Sequence, residues 1–105
     1  MRVYIKQSHF LDELGLPIYR VVTGRMVSLP GWPGRYALTP EPSDVSARVV
    51  TNIETGMRIM SGYSDEEAVA NSIAALRKAF TPAGLWEQIT YEMLVHGHIA
   101  PAPEQ

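Results

Sequence analysis

Residues 46–80 read SARVVTNIETGMRIMSGYSDEEAVANSIAALRKAF, and two periodicities meet inside this stretch. Up to Gly62, β-branched and apolar residues surround Glu54-Thr55-Gly56. A glycine in third place of a three-residue loop supplies the left-handed conformation that a type I turn with a bulge requires. This placement predicts a hairpin pairing Ile53 with Met57, Thr51 with Ile59 and Val49 with Ser61 on one face. Arg48, Val50, Asn52, Arg58 and Met60 then share the other face. From Ser64 the spacing changes to three and four. Ser64 and Glu67 form a capping box, Asp65 to Glu67 sit at the positive end of the helix dipole, and Arg77 and Lys78 sit at the negative end. Ala68, Val69, Ser72, Ile73, Ala75, Leu76, Ala79 and Phe80 make one apolar stripe, small enough in places to lie close on a sheet.

Beyond this segment, Thr81-Pro82 ends one helix and opens another, with proline at the first helical position and threonine as cap. Leu85, Trp86, Ile89, Met93 and Leu94 form its stripe, which places Trp86 in the core, and Gly97 suits its C-terminal end. Toward the N-terminus, Arg2 to Lys6 reads as a strand, and Ser8 to Leu14 as a helical turn or a loop ending at Gly15. Ile18 to Leu29 reads as a hairpin about Thr23-Gly24, with a single strand broken by a glycine bulge as the competing reading. Two prolines and two glycines between Leu29 and Arg35 make a loop carrying Trp32, Arg35 to Leu38 adds a short edge strand, and Thr39 to Asp44 is a further loop. The expectation is one α+β domain over residues 1–98: an antiparallel sheet of about four to five strands, in the N-terminal two thirds, packed against two C-terminal helices. Residues 99–105 form a flexible tail.

The chain has 105 residues, 46 % hydrophobic and 19 % charged, which excludes a disordered polymer. The absence of cysteine excludes a disulfide scaffold and a thiolate metal site. No apolar run approaches the ~20 residues of a membrane span, and the first residues lack a secretory signal's apolar stretch, so a cytoplasmic protein is the default expectation. Charge is uneven. Through Gly62, seven bases face five acids (+2); from Tyr63 onward, two bases face six acids (−4), giving the net −2.

Residues with catalytic or ligating chemistry are few. His96-Gly-His98, with Glu92 one turn earlier, offers candidate metal ligands, yet histidine and glycine also suit a helix C-terminus, and the expectation is no metal. Asp65, Glu66 and Glu67 are explained by helix-start chemistry. The chain has no serine elbow, phosphate loop or dinucleotide fingerprint, so neither a cofactor nor an enzyme is expected.

Residues 47–80 resemble the latter part of a double-stranded-RNA-binding domain, which ends in strand, strand and a helix opened by a glycine-serine turn with an alanine-rich face. Gly62-Tyr63-Ser64, then Ala68, Ser72, Ala75, Leu76 and Phe80, carry the likeness. It departs where that family places phosphate-holding lysines, because Asp65, Glu66 and Glu67 stand there. The same strand-turn-helix is similar to the amino-terminal module of HicB-type antitoxins, which is small, acidic and binds a protein.

Both hairpins show apolar residues on both faces, and one pair of helices covers only one side of a sheet. The opposite side therefore needs cover from the proline-rich loop, a second copy or another protein. Trp32 is either a plug folded over the core or an anchor presented to a partner. The reading that follows is a small non-enzymatic protein-binding module that inhibits or regulates a larger protein, of the phage-inhibitor, antitoxin or immunity-protein type, with a homodimer as a compatible variant. Its partner-binding residues are Trp32, Arg48, Arg58, Met60, Tyr19 and Arg20. The alternative is a nucleic-acid-binding module using a basic sheet face, and the third reading is a small metal protein or enzyme built around His96 and His98.

Overall fold

Six strands precede two helices: β1 (Arg2–Leu11), β2 (Pro17–Thr23), β3 (Arg25–Val27), β4 (Tyr36–Glu41), β5 (Asp44–Asn52), β6 (Arg58–Gly62), α1 (Asp65–Ala79) and α2 (Pro82–Leu94). The computed structural model describes residues 1–11 and 13–104; Asp12, inside the Ser8–Leu14 stretch, and Gln105, in the tail, lie outside the described residues. β1 and β2 form an antiparallel ribbon, and β3 to β6 form a four-stranded antiparallel sheet in chain order.

The hairpin expected over Ile18–Leu29 does not form. β2 pairs with β1 and β3 pairs with β4, so Gly24 is where one nearly continuous strand passes from the ribbon to the sheet. A Cβ on Gly24 would lie 2.8 Å from the Leu38 carbonyl oxygen and 3.1 Å from the side chains of Thr39 and Val3. Close approach of the two sheets, and not a turn, demands glycine there. Instead of turning helically after Ser8, β1 runs on to Leu11. Likewise Arg35–Leu38 is no edge. β4 lies between β3 and β5 and continues through Thr39 to Glu41, where the two prolines of the segment predict a loop. Pro40 is tolerated because the β3 pairing stops at Leu38, leaving no ladder bond for its missing N–H to break.

The β5–β6 hairpin forms, with Gly56 in the left-handed region at φ +72°. Val49 faces Ser61 as the pattern predicts, but the next pair is Thr51 with Arg58, so β6 carries one extra residue opposite Val50. The cause lies in Asn52, whose Oδ1 accepts from the Thr55 amide at 3.0 Å and the Thr55 hydroxyl at 2.8 Å. That grip widens the loop to Ile53–Gly56, closed by the Asn52 N–H donating to Met57 O at 2.9 Å. The expected division of faces is redrawn accordingly. Val50 is fully buried under the helices beside Ile59 and Leu38, and Arg48 points at Asp65 of α1. Arg58 is on the opposite face, reaching Glu41.

The helix-side core gathers Leu29, Tyr36, Leu38, Val50, Ala68, Leu76, Leu85 and Ile89. Ser64 caps α1 by accepting from Glu67 N–H at 3.1 Å, and Thr81 caps α2 by accepting from Gly84 N–H at 3.0 Å. Gly62 lets α1 sit on β6, since a Cβ there would stand 2.5 Å from the Ala68 nitrogen. Across the sheet, Val3, Ala37 and Ile53 form a second core with Met1 and Val22. The far face is therefore roofed by the chain's own β1–β2 ribbon, and the expectation that it needs the proline-rich loop, a second copy or another protein to cover it is overturned. After α2 the chain returns to the N-terminal strand: Ala100 N–H donates to Glu54 O, and Glu104 bridges Arg2 in antiparallel fashion. With a radius of gyration of 13.1 Å, these parts form one small α+β body.

Candidate functional site

The ribbon packs on the sheet's far face through Val3 and Val22, against Ala37 and Ile53. Between ribbon and sheet opens a cleft of about 330 Å³. Ile5 and Arg20, opposite each other on β1 and β2, form its roof; Thr39, Val49 and Thr51 form its floor; Pro40 to Pro42 and Met57 to Arg58 form its ends, and Lys6 also lines it. The two floor threonines share a hydrogen bond of 3.1 Å, so their hydroxyls are satisfied.

Charge in this cleft is distinctive. Five of the seven bases in residues 1–62 are held by carboxylates: Arg2 by Glu104, Arg25 and Arg48 by Asp65, Arg35 by Glu54 and Arg58 by Glu41. The other two, Lys6 and Arg20, have no ion-pair partner among the described residues, and both line the cleft. The basic face expected for nucleic acid is thus largely neutralised from within.

The residues expected to bind a partner do not share one surface. Arg20 and Arg58 both line the cleft, and Tyr19 lies beside Gly56, another lining residue. Tyr19 donates to the Thr55 carbonyl at 3.2 Å, and burial pushes its phenol above the ordinary value. Arg48 lies across the sheet, 3.8 Å from Asp65, while Met60 is exposed on β6. Trp32 packs against the helix-side core, which is the plug reading. Near the C-terminus, His98 Nδ1 lies 2.7 Å from Glu92 Oε2, and His96 packs edge-on against Tyr91. Among the described residues no group of three His, Cys, Asp or Glu side chains is arranged to hold a metal ion.

The surface that sequence reasoning missed is on α2. Trp86 and Leu94, expected in the core, are 47 % and 77 % exposed, while Leu85 and Ile89 are buried. Tyr91 and Val95, on the same arc as Leu94, are exposed at 49 % and 60 %, and Ile99 follows at 59 %. With aromatic side chains carrying about 150–250 Å² each, Trp86 and Tyr91 alone present on the order of 200 Å² of apolar area. The signal was in the sequence: α2 is apolar around more of its circumference than one core contact can bury. Among the described residues no helix is long and apolar enough to cross a membrane.

Comparisons with protein-family models, with curated proteins and with solved structures return no match.

Proposed function

We propose that the chain is a small non-enzymatic, cytoplasmic module that binds a larger protein and regulates it, and that it docks through the outer arc of α2. The observation that supports this reading most is the set Tyr91, Leu94 and Val95, exposed on one arc at i, i+3 and i+4 with Trp86 at its flank, on a helix whose inner arc is already committed to the core. Interface anchors are enriched in tryptophan and tyrosine, and a helix presenting spaced apolar anchors fits the groove of a partner. Charge selects the partner's chemistry. The arc belongs to the half of the chain that carries −4, so the groove is apolar and rimmed by lysine or arginine. A second copy is disfavoured, because pairing α2 with itself brings two such acidic halves together. The likeness to HicB-type modules points to the same class of partner.

The test uses the full chain as bait in host extract, followed by reconstitution with the purified captured protein. Light scattering is expected to give a monomer for the chain alone and an equimolar complex with the partner. Leu94→Glu and Trp86→Ala should each weaken that complex at least tenfold, while Val45→Ser, at an exposed position on β5, leaves it unchanged. Equal affinity of all variants for the purified partner overturns the reading. So does a homodimer that Leu94→Glu dissolves.

A further inference from the structure

We infer that the cleft between the β1–β2 ribbon and the far face of the sheet is a binding site for a small amphipathic monocarboxylate, a carboxylate carrying a short hydrocarbon body. This site is separate from the α2 arc and does not depend on the docking proposal.

Placement of charge is the first ground. A chain that pairs five of its seven N-terminal bases with its own carboxylates leaves two without such a partner among the described residues, and both Lys6 and Arg20 line one cleft. Arg58 adds a third cation there, already engaged by Glu41 at 2.9 Å. The lining therefore carries +2 after Glu41 is counted, in a molecule whose net charge is −2. Cations without a carboxylate partner on the lining of a concavity recognise an anion, and an arginine fork matches a planar carboxylate through two parallel hydrogen bonds.

The second ground is what surrounds the cations. Ile5, Val49 and Met57 give the cleft apolar walls, and the hydroxyls of Thr39 and Thr51 are spent on each other. The volume of about 330 Å³ lies at the small end of ligand sites. Such a space accepts a short aliphatic or aromatic body and has little to offer a polyhydroxylated one. The Glu41 carboxylate at the end of the cleft, on a side chain only 10 % exposed, sets the ligand's charge. A doubly charged phosphate would face that buried anion with no apolar part to fill the walls, whereas a carboxylate brings a single charge and a hydrocarbon that meets the apolar walls.

Isothermal titration of the full chain with octanoate tests the site, with octanol and inorganic phosphate as comparators and amide chemical shifts as the map. Expected is saturable octanoate binding that shifts the amides of Lys6, Arg20, Val49 and Thr51. Octanol and phosphate should each bind at least tenfold more weakly. Arg20→Gln and Lys6→Gln, both at ribbon positions outside the two cores, should each weaken octanoate at least fivefold while the far-ultraviolet spectrum stays that of the parent. Leu94→Glu should leave octanoate binding unchanged, which separates this site from the docking arc. Absence of binding at millimolar octanoate overturns the inference. Equal binding of octanol, equal binding of phosphate, or full affinity in both folded glutamine variants does the same.

Discussion

Arg58 on β6 reaches across β5 to Glu41 on β4, placing a guanidinium nitrogen 2.9 Å from the carboxylate. The partners are unequally exposed, 56 % for the arginine side chain and 10 % for the glutamate. Removing either therefore has a different consequence. Arg58→Met strands a nearly buried anion and should cost about 1–3 kcal/mol of unfolding free energy by urea titration at neutral pH. Glu41→Gln leaves Arg58 in water and should cost less, and the double variant should cost less than the sum of the two.

Gly56→Ala should destabilise far more than an ordinary surface change. The position has φ +72°, and an added Cβ would lie 2.7 Å from Tyr19 Cε1, 3.0 Å from Tyr4 O and 3.1 Å from Lys6 N. Two of these three atoms are backbone and cannot rotate away. A loss of about 2–4 kcal/mol is expected, against about 1–2 kcal/mol at Gly15, which shares the positive φ but has none of the described residues within 4 Å of an added Cβ. Thermal melts of the two alanine variants check the ordering.

Tyr36 makes stability fall in alkali. Burial, and secondarily the negative charge of Glu54, push its phenol from 10.0 up to about 12. Because the folded value is raised, the contribution is complete below pH 10 and is lost as pH rises from 10 through 12. Urea midpoints should decline across that window, and Tyr36→Phe should flatten the decline. It should also lower stability at pH 7 by about 1–2 kcal/mol, since the Tyr36 hydroxyl donates to the Pro33 carbonyl. Ultraviolet titration should show one tyrosine ionising last.

Ser72 offers the opposite sign. Its hydroxyl is buried on α1 with no hydrogen-bond partner among the described residues. Ser72→Ala removes an unsatisfied polar atom at little change of volume and improves helix propensity, so stability should rise by about 1 kcal/mol. A higher urea midpoint with an unchanged slope is the expected signature.

The two arcs of α2 should respond differently to truncation. Leu85→Ala and Ile89→Ala empty core positions and should cost about 2–4 kcal/mol each. Leu94→Ser, at a largely exposed side chain, should stay within about 0.5 kcal/mol of the parent in the same urea titration.

What the sequence made legible is local chemistry. Ser64 and Thr81 could be read as caps because a cap involves residues three apart, and Gly56 because its turn closes on neighbouring residues. The fold class followed from the change of period at Gly62. Gly24 was misread because a glycine in a tight turn and a glycine where two sheets cross look alike in one dimension; only the approach of Leu38 and Val3 tells them apart. The same limit moved Val50 to the helix side, since the extra residue in β6 comes from the side-chain bonds of Asn52, which no alternation pattern encodes. Trp86 and Leu94 obeyed the helical spacing yet face outward, because spacing selects a helix without saying which arc meets the core. The cleft was invisible for a related reason: Lys6 and Arg20 acquire meaning only when every other arginine of that half is seen to be taken.

Glu104 and Arg2 lie side by side in an antiparallel bridge, which bears on how the chain can be rewired. A few glycines suffice to join residue 104 to Met1, whose nitrogen donates to Gly24 O at 3.0 Å, a bond an amide can equally make. New ends cut at Gly31, where none of the described residues lies within 4 Å of an added Cβ, then yield a circular permutant that begins in the tryptophan loop and keeps every sheet pairing intact.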